Sequence, residues 1–543
     1  MRICLVNSQF ELLGVEYVSA MLKQAGHQVV LVHDPRLFQD SFQMNAPLAR
    51  MFALDRRTVD EAAATNADVY ALSVSSPDWG WARAMTTALK ARTGKPIIVG
   101  GVHCSASTES VARHPAIDYV VTGEAEDAIV DLIAALESGR DPAALQNVSM
   151  VRDGTFIGNP NRPLVVDLDR LPFSDKSIFY DISGHFRHGY NIMASRGCPK
   201  ACSYCLNSWY RFKFPNEHDW WRVRSVENVI DELEQAKALY KPNHFRFVDD
   251  EFAYDRQWFL KFVPEYKKRI GVPYRIFLDA DNCDEELVRL LDESGCFEAE
   301  VGVQTISREL RSKVFQRSQI PGKVVETIDL FAKTRTTLVM DNILGYPDQT
   351  PEDLAELIEF YRDHRPSRVQ NLWLRFWPGT PIIEITREKG YFTAEQAKAL
   401  NEEPANRACV IGDEVKRPWE RRASALIYAA FFVPKWFTTF WVTNLRFVRF
   451  PALPEWLAYM LTNLGNTQIS MYGRRFAHRY MKYSLYRLAG PFRKLVDRVF
   501  FGGRSPLAGR YSTRVDITPR ASARPLAPPP EPLPASSAAS DAG

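Results

Sequence analysis

The 543-residue chain has no long hydrophobic run. No stretch of about 18 uncharged apolar residues occurs, so no membrane-spanning helix is expected. The net charge of +3 is too small to argue for nucleic acid as a partner. A disulfide framework is not expected either. Of the eight cysteines, Cys4, Cys104, Cys283, Cys296 and Cys409 stand singly, often among apolar neighbours, which suits a reducing cytoplasm. The first apolar run, Ile3-Cys4-Leu5-Val6, is too short for a signal-peptide core and reads as a buried strand. The chain contains no internal repeat.

One dense group stands against these absences: Arg196-Gly197-Cys198-Pro199-Lys200-Ala201-Cys202-Ser203-Tyr204-Cys205. The spacing is C-x3-C-x2-C. Three thiolates this close can hold three irons of a [4Fe–4S] cluster, because soft sulfur ligands suit iron–sulfur centres. The competing reading is a zinc knuckle, which needs a further Cys or His nearby, and none occurs. The missing fourth cysteine leaves one iron open to a small chelating ligand.

Around this run the pattern is α/β. Residues 1–140 alternate short apolar strands (Ile3 to Val6, Val29 to Val32, Val69 to Val74, Pro96 to Gly100, Tyr119 to Val121) with helices over Gly14 to Ala25, Trp81 to Arg92 and Glu126 to Glu137. This predicts a doubly wound parallel sheet that binds ligands beyond the carboxyl ends of its strands. Residues 141–190 read as a polar, proline-containing linker. Residues 191–385 alternate again, with strands at Arg246 to Val248, Tyr274 to Leu278, Glu298 to Val303, Leu338 to Leu344 and Asn371 to Phe376, compatible with a full or partial (β/α) barrel. Residues 386–504 read as a helical C-terminal domain, and 505–543 as a disordered Pro/Ala/Ser-rich tail.

The cysteine spacing, with Tyr204 before the last cysteine, resembles the radical SAM superfamily. Four further segments resemble that family in order and spacing: Phe247-Val248-Asp249-Asp250-Glu251-Phe252, Gly302-Val303-Gln304-Thr305, Ile343-Leu344-Gly345-Tyr346-Pro347 followed by Thr350-Pro351-Glu352-Asp353, and Trp377-Pro378-Gly379-Thr380-Pro381. The resemblance implies that Cys198, Cys202 and Cys205 bind a [4Fe–4S] cluster whose open iron takes S-adenosylmethionine. It makes Tyr204, Asp249, Asp250, Gln304 and Gly345 candidates for the cofactor site. For Asp249 and Asp250 a solvated strand end or a helix N-cap is an equal alternative. Gly345 and Pro347 are expected to shape a turn that leaves backbone groups free for the ligand.

Residues 1–140 resemble the cobalamin-binding domain that precedes many radical SAM cores. The matching segments are Gly14-Val15-Glu16-Tyr17, Leu22 to His27, Ser73-Val74-Ser75-Ser76, Gly100-Gly101-Val102-His103 and Val121-Thr122-Gly123-Glu124-Ala125-Glu126. They nominate Gly14, Ser73, Ser75, Ser76, Gly100, Gly101, His103, Gly123 and Glu124 as cobalamin-site residues. Glycines at strand ends let a flat ring approach the backbone, and serines can hydrogen-bond its amides. The Asp-x-His-x-x-Gly motif of the methionine-synthase type is absent. The expectation is therefore cobalamin without its tail base and without a protein histidine on cobalt. A flavodoxin-like domain that has lost cobalamin is the alternative.

The C-terminal region mixes aromatics (Phe431 to Trp441) with Arg446, Arg449, Arg474, Arg475, Arg479, Lys482, Arg487, Arg493 and Lys494. Such a mixture suits a membrane surface, a pocket for an apolar substrate, or stacked bases, but also a plain helical cap with arginines on its solvated face. The expected location is cytoplasmic, with membrane contact at the inner face as an option.

The resemblance implies a cobalamin-dependent radical SAM enzyme. It would methylate an unactivated carbon of an apolar or natural-product substrate, through a 5′-deoxyadenosyl radical and methylcobalamin, with a flavodoxin or ferredoxin as electron donor. The alternative is an oxidative cyclase like the anaerobic magnesium-protoporphyrin monomethyl ester cyclases. A non-catalytic cluster or cobalamin sensor is the rival from another class. An RNA-modifying methylthiotransferase carries a different N-terminal domain with three further cysteines, whereas residues 1–140 have only Cys4 and Cys104. No catalytic side chain is nominated.

Overall fold

The computed structural model describes residues 1–39, 45–317, 321–402, 418–429, 436, 440, 474–488 and 505–520. Two parallel sheets organise them. The first contains β1 (Arg2–Ser8), β2 (Gln28–Asp34), β3 (Val69–Ser73), β4 (Ile97–Gly100), β5 (Tyr119–Val121), β6 (Val148–Arg152) and β7 (Thr155–Gly158), in the order β2-β1-β3-β4-β5-β6-β7. The first five strands are parallel and follow the 2-1-3-4-5 order of flavodoxin-like sheets, with the switch point between β1 and β3.

Period-two alternation builds both faces of this sheet. Ile3, Leu5, Val29, Leu31 and Val69 pack on one side with Leu22, Ile129 and Leu132. Cys4, Val6, Val30, Val32, Tyr70 and Leu72 pack on the other with Trp81, Met85 and Leu89. The expected linker over 141–190 departs from its prediction. It supplies β6 and β7, an antiparallel hairpin that extends the sheet, turning at Asp153 and Gly154, both with positive φ.

The second sheet contains β8 (Tyr190–Ile192), β11 (Phe245–Phe247), β12 (Tyr274–Leu278), β13 (Cys296–Gln304), β14 (Thr337–Leu344) and β15 (Arg368–Trp373), all parallel, in the order β15-β14-β13-β12-β11-β8. Its end strands do not pair, so it is a partial barrel. Between β8 and β11, the short β9 (Ser195–Arg196) and β10 (Arg222–Val223) pair antiparallel. Phe245, Phe247, Ile276, Leu278, Ala299, Val301 and Met340 face the surrounding helices. The alternate positions are charged: Arg275 pairs with Glu298 (3.1 Å) and with Glu300, and Arg368 lies 3.7 Å from Glu298. Buried parallel strands usually read as continuous apolar runs. Here a paired ion network lines the inner wall.

Buried charges tie the 141–190 segment to the first domain. Lys176 reaches Glu11 at 2.9 Å and Glu16 at 2.5 Å, and Lys23 meets Asp175 at 2.7 Å. The carboxylates outweigh burial and raise the Lys176 pKa, so it stays charged.

The expected disordered tail also needs correction over 505–520. This segment runs along the outer edge of β2, where Val32 pairs with Ala508 and Val29 with Ser512, and it buries Leu507 and Ile517. It then crosses to the helix Val226–Tyr240, where Gln235 donates to the Thr518 carbonyl at 2.8 Å and Arg520 lies 2.9 Å from Asp231. Residues 521–543 lie outside the described residues.

Of the C-terminal helical region, the helices Ala394–Glu402, Pro418–Ala429 and Arg474–Leu488 are described. Arg446, Arg449, Arg493, Lys494 and most of Phe431 to Trp441 lie outside the described residues. Arg479 is not on a solvated face, where the plain-cap alternative would put it. It is buried, 4.8 Å above the Phe10 ring and bonded to the Pro35 carbonyl. Among the described residues no helix is long and apolar enough to cross a membrane.

Candidate cofactor site

The cysteine loop is fixed before and within its three cysteines. It leaves β8 through Ala194, Ser195 and Arg196. The Asp249 carboxylate, just beyond β11, accepts the amides of Ala194 and Ser195 and the Ser195 hydroxyl. Asp249 is buried, which pushes its pKa up to about 6 against these hydrogen bonds. Gly197 then turns the chain at φ +86°, where a side chain would overlap the Trp220 carbonyl. Within the loop, Ser203 donates its amide to the Phe315 carbonyl at 3.0 Å and its carbonyl accepts from the Ile382 amide at 3.0 Å.

Cys202 is buried, Cys198 and Cys205 are half-buried, and all three are free thiols. Burial pushes the Cys198 thiol up to about 12 and Cys205 up to about 11, so a bound metal must displace their protons. Among the described residues no three His, Cys, Asp or Glu side chains are grouped to hold a single metal ion, as a zinc knuckle requires. Three thiols on one loop are the donor type that an iron–sulfur cluster takes.

Around the loop stand charged groups from neighbouring strand ends. Asp250 accepts from Asn207 at 3.0 Å and acts electrostatically on both Cys198 and Cys205. It is exposed to solvent, yet the surrounding protein raises its pKa by desolvation. Glu251 is buried, which pushes its pKa up to about 7, aided by Asp279. Lys200 lies 3.5 Å from Asp279.

Arg317, which no motif nominated, ties this group together. Its guanidinium lies 3.7 Å from the Cys202 sulfur and 3.3 Å from the Tyr204 hydroxyl, and it donates to Asp279 at 2.7 Å and to the Gly302 carbonyl at 2.8 Å. The Tyr204 ring meets Phe315 edge-on. Gln304 ends β13 at φ +66°, a strained conformation for a non-glycine residue, and its buried amide oxygen has no hydrogen-bond partner among the described residues. That oxygen suits a ligand donor.

Gly345 does not leave its amide free, as expected from its motif. The amide donates to Gln349 at 2.8 Å, and the turn packs on Trp373. The Pro-Gly-Thr-Pro element packs against the cysteine region, since a Cβ at Gly379 would stand 2.8 Å from the Trp209 ring.

The second cluster of predicted residues lies at the carboxyl ends of β1, β3, β4 and β5. Gly14 opens onto free space, with nothing within 4 Å of where a Cβ would stand. Ser73 is half-buried at the end of β3. Gly100 and Gly101 close β4 under the backbone of Val121 and Val74. A Cβ at Gly101 would lie 2.7 Å from the Val74 carbonyl. Ser75 donates to Asp78 at 2.7 Å, and Asp78 also meets Arg36 at 2.6 Å. His103 is fully buried, with Nδ1 3.1 Å from the Ser76 hydroxyl and its ring against Trp79. Burial lowers its pKa to about 4. Gly123 donates its amide to the Ser105 hydroxyl at 3.0 Å. The open backbone at Gly14 and the small side chains at the ends of β3 and β4 fit a flat ring approaching this edge.

Glu124 is not available for a cofactor. Its carboxylate meets Arg196 at 3.1 Å and Arg222 at 3.0 Å and accepts the Val165 amide at 2.8 Å. The arginines outweigh burial and hold its pKa low. The sequence showed Arg196 beside the cysteines and Glu124 in its own motif, but no signal paired them.

Comparison with known proteins agrees with this geometry. Residues 5–133 match the B12 binding domain and residues 192–361 match the Radical SAM superfamily. An uncharacterized methyltransferase of Pyrococcus horikoshii is 25% identical over 296 residues, covering 53% of this chain and 62% of that protein. The anaerobic magnesium-protoporphyrin IX monomethyl ester cyclase of Rubrivivax gelatinosus is 24% identical over 303 residues, covering 54% and 53%. The chain thus spans about half to three fifths of the length of these relatives.

Among solved structures, the cobalamin-dependent S-adenosylmethionine radical enzyme OxsB, with aqua-cobalamin and S-adenosylmethionine bound, superposes with a TM-score of 0.59 at 16% identity, covering 92% of this chain and 73% of that one. The radical S-adenosylmethionine methyltransferase TsrM of Kitasatospora setae gives 0.57 at 17% identity, covering 72% and 76%. The two matched domains carry a [4Fe–4S] cluster, S-adenosylmethionine and cobalamin as their cofactors. With a cobalamin-binding domain joined to a radical SAM barrel, the chain belongs to the cobalamin-binding-domain-containing radical SAM enzymes.

Proposed function

We propose that the chain is a methyltransferase that moves a methyl group from S-adenosylmethionine, by way of cobalamin, to an unactivated carbon of an organic substrate. The observation that carries this reading is the meeting of the two cofactor edges. Tyr210, shortly after Cys205, has its hydroxyl 3.3 Å from Ser105, and Phe214 lies against Gly123. The two loops are therefore in contact. The Pyrococcus relative is named a methyltransferase, and so are two Chlorobaculum tepidum proteins that act on bacteriochlorophyllide d.

When bound, the cofactors supply an electron, a hydrogen-abstracting radical and a methyl carrier. The chain's own residues hold and orient. Cys198, Cys202 and Cys205 would ligate the cluster, with Asp249 and Gly197 setting the path of their loop. Arg317 and Lys200 would place positive charge beside it, and Asp250, Tyr204 and Gln304 are the residues that would contact S-adenosylmethionine. The strand ends would have to exclude water and fix the distance between reacting groups once the cofactors and substrate are bound.

The inner-wall network of Arg275, Glu298, Glu300 and Arg368 confines the substrate to the carboxyl end of the barrel. Opening buried ion pairs leaves charges uncompensated, which an apolar substrate cannot offset. An apolar or natural-product substrate would thus contact the strand ends and the space beneath the cobalamin edge. A flavodoxin or ferredoxin would serve as electron donor.

The cyclase reading is supported by the Rubrivivax relative, which matches a similar share of the chain. One experiment separates the two. The protein is reconstituted without oxygen with iron, sulfide and hydroxocobalamin, given S-adenosylmethionine, reductant and candidate substrates, and assayed for 5′-deoxyadenosine and S-adenosylhomocysteine. Both products together support methyl transfer. Deoxyadenosine with a cyclised or oxidised product and no S-adenosylhomocysteine supports the cyclase. No cleavage by cluster-loaded protein overturns both and points to a sensor.

A further inference from the structure

In the β9–β10 pair, Arg196 stands directly opposite Arg222. Like charges facing each other across an antiparallel pair repel. Glu124 neutralises them: one oxygen lies 3.1 Å from Arg196 and 3.0 Å from Arg222, and the other accepts a second Arg222 nitrogen at 3.0 Å. The remaining Arg196 nitrogen meets Glu126 at 2.5 Å, and the guanidinium lies 5.1 Å over the Tyr17 ring. The four charged side chains are only 5–16% exposed. Forked, charge-assisted contacts of this kind are strong and directional, and parting them would strand a buried charge.

The chain positions of these residues give the arrangement its meaning. Glu124 follows Gly123 at the carboxyl edge of the cobalamin-binding sheet, and Arg196 precedes Gly197 and Cys198 of the cluster loop. A shift of the Gly123–Glu124 loop must therefore move β9, and β9 leads into the first cluster cysteine. We propose that Glu124 is a positioning residue which, through Arg196 and Arg222, couples the cobalamin site to the cluster site, so that occupancy of one changes the affinity of the other. The coupling is reciprocal by linkage. It is independent of the methyl-transfer or cyclase chemistry and is read without turnover.

The test uses the full-length protein under anaerobic conditions. Hydroxocobalamin affinity is measured by absorbance titration with and without the assembled cluster, and the EPR spectrum of the reduced cluster is recorded with and without cobalamin. The wild type is expected to show at least a ~5-fold affinity difference between the two forms, and a cluster spectrum that responds to cobalamin. In E124Q both groups still bind, but the difference shrinks towards onefold and the spectrum no longer responds. R196K, which keeps a charge but not the fork, shrinks it too and decides the matter if circular dichroism shows E124Q misfolded. E109Q, in the exposed pair with Arg113, keeps the wild-type difference. No difference in the wild type, or a wild-type difference in a folded E124Q or R196K, overturns the proposal.

Discussion

Asp249 grips Ser195: one carboxylate oxygen accepts both the amide and the hydroxyl of Ser195, the hydroxyl at 2.6 Å, and the other oxygen accepts the Ala194 amide at 3.2 Å. The interaction joins the end of β11 to the segment that enters the cysteine loop. Asp249→Ala would leave these buried donors unsatisfied, at about 1–3 kcal/mol each before relaxation. The expected outcome is a loss of about 3 kcal/mol in stability by denaturant unfolding, together with lower iron and sulfide content after reconstitution. Wild-type iron content in Asp249→Ala would show that the loop does not depend on this carboxylate.

Gly197→Ala should act on the same loop by a different route. The backbone there is left-handed at φ +86°, and a Cβ would overlap the Trp220 carbonyl. Strain in such a conformation costs about 1–3 kcal/mol, and here the contact atom is backbone, which cannot swing aside. The variant is expected to fold with a displaced loop and to retain less than wild-type iron after desalting.

Arg317 offers a change in electronic rather than structural terms. Its N–H groups point at the Cys202 sulfur (3.7 Å) and the Tyr204 hydroxyl (3.3 Å). Hydrogen bonds and positive charge at cluster sulfurs stabilise the reduced state. Arg317→Gln should therefore shift the cluster's midpoint potential to a more negative value, measured by redox titration with EPR detection. Arg317→Lys should shift it less. An unchanged potential in both would place Arg317 outside the electrostatics of the cluster.

What was legible in the sequence follows from how local each signal is. Most strands of the two sheets could be read from short apolar or alternating runs, and the cysteine loop because its ligands are neighbours; β8, three residues with Asn191 at its centre, went unread. The β6–β7 hairpin was also written locally, as Asp153-Gly154 between alternating residues, but the prolines around it made 141–190 look like a connection. Leu507 and Ile517 were hidden by the composition of the segment that follows them. The role of Glu124 was not legible, because its partners Arg196 and Arg222 are distant in the chain and nothing in its own motif distinguishes a cofactor contact from an ion pair. The charged positions of β12, β13 and β15 went unused for the same reason: Arg275, Glu298 and Arg368 form a network only when the strands are in register.

The join between the 141–190 segment and the first domain should fail if its central cation is removed. Lys176 is fully buried, between Glu11 at 2.9 Å and Glu16 at 2.5 Å, and 4.9 Å from the Tyr190 ring. Lys176→Met leaves two buried carboxylates facing each other. Breaking a buried pair on one side costs about 3–5 kcal/mol. The loss should be read as a lowered denaturant midpoint, and partly recovered by adding Glu16→Gln, since one uncompensated charge is then removed.

Acid should loosen the cobalamin-binding domain through His103. This ring is fully buried between Ser76 and Trp79, and burial lowers its pKa from 6.5 to about 4. The folded state thus favours the neutral ring. Its contribution to stability is complete above pH 6.5, where folded and unfolded chains are both neutral. It is lost progressively as pH falls from 6.5 to about 4, because only the unfolded chain takes up the proton. The loss at pH 4 should amount to about 3 kcal/mol, from 1.36 kcal/mol per pKa unit. His103→Gln keeps a neutral side chain able to bond Ser76 and has no proton to gain. Denaturant unfolding of both proteins between pH 7 and pH 4 should show the wild type losing stability relative to the variant as the pH falls. A constant difference across that range would mean that His103 is protonated equally in both states, and that the buried site tolerates the charge.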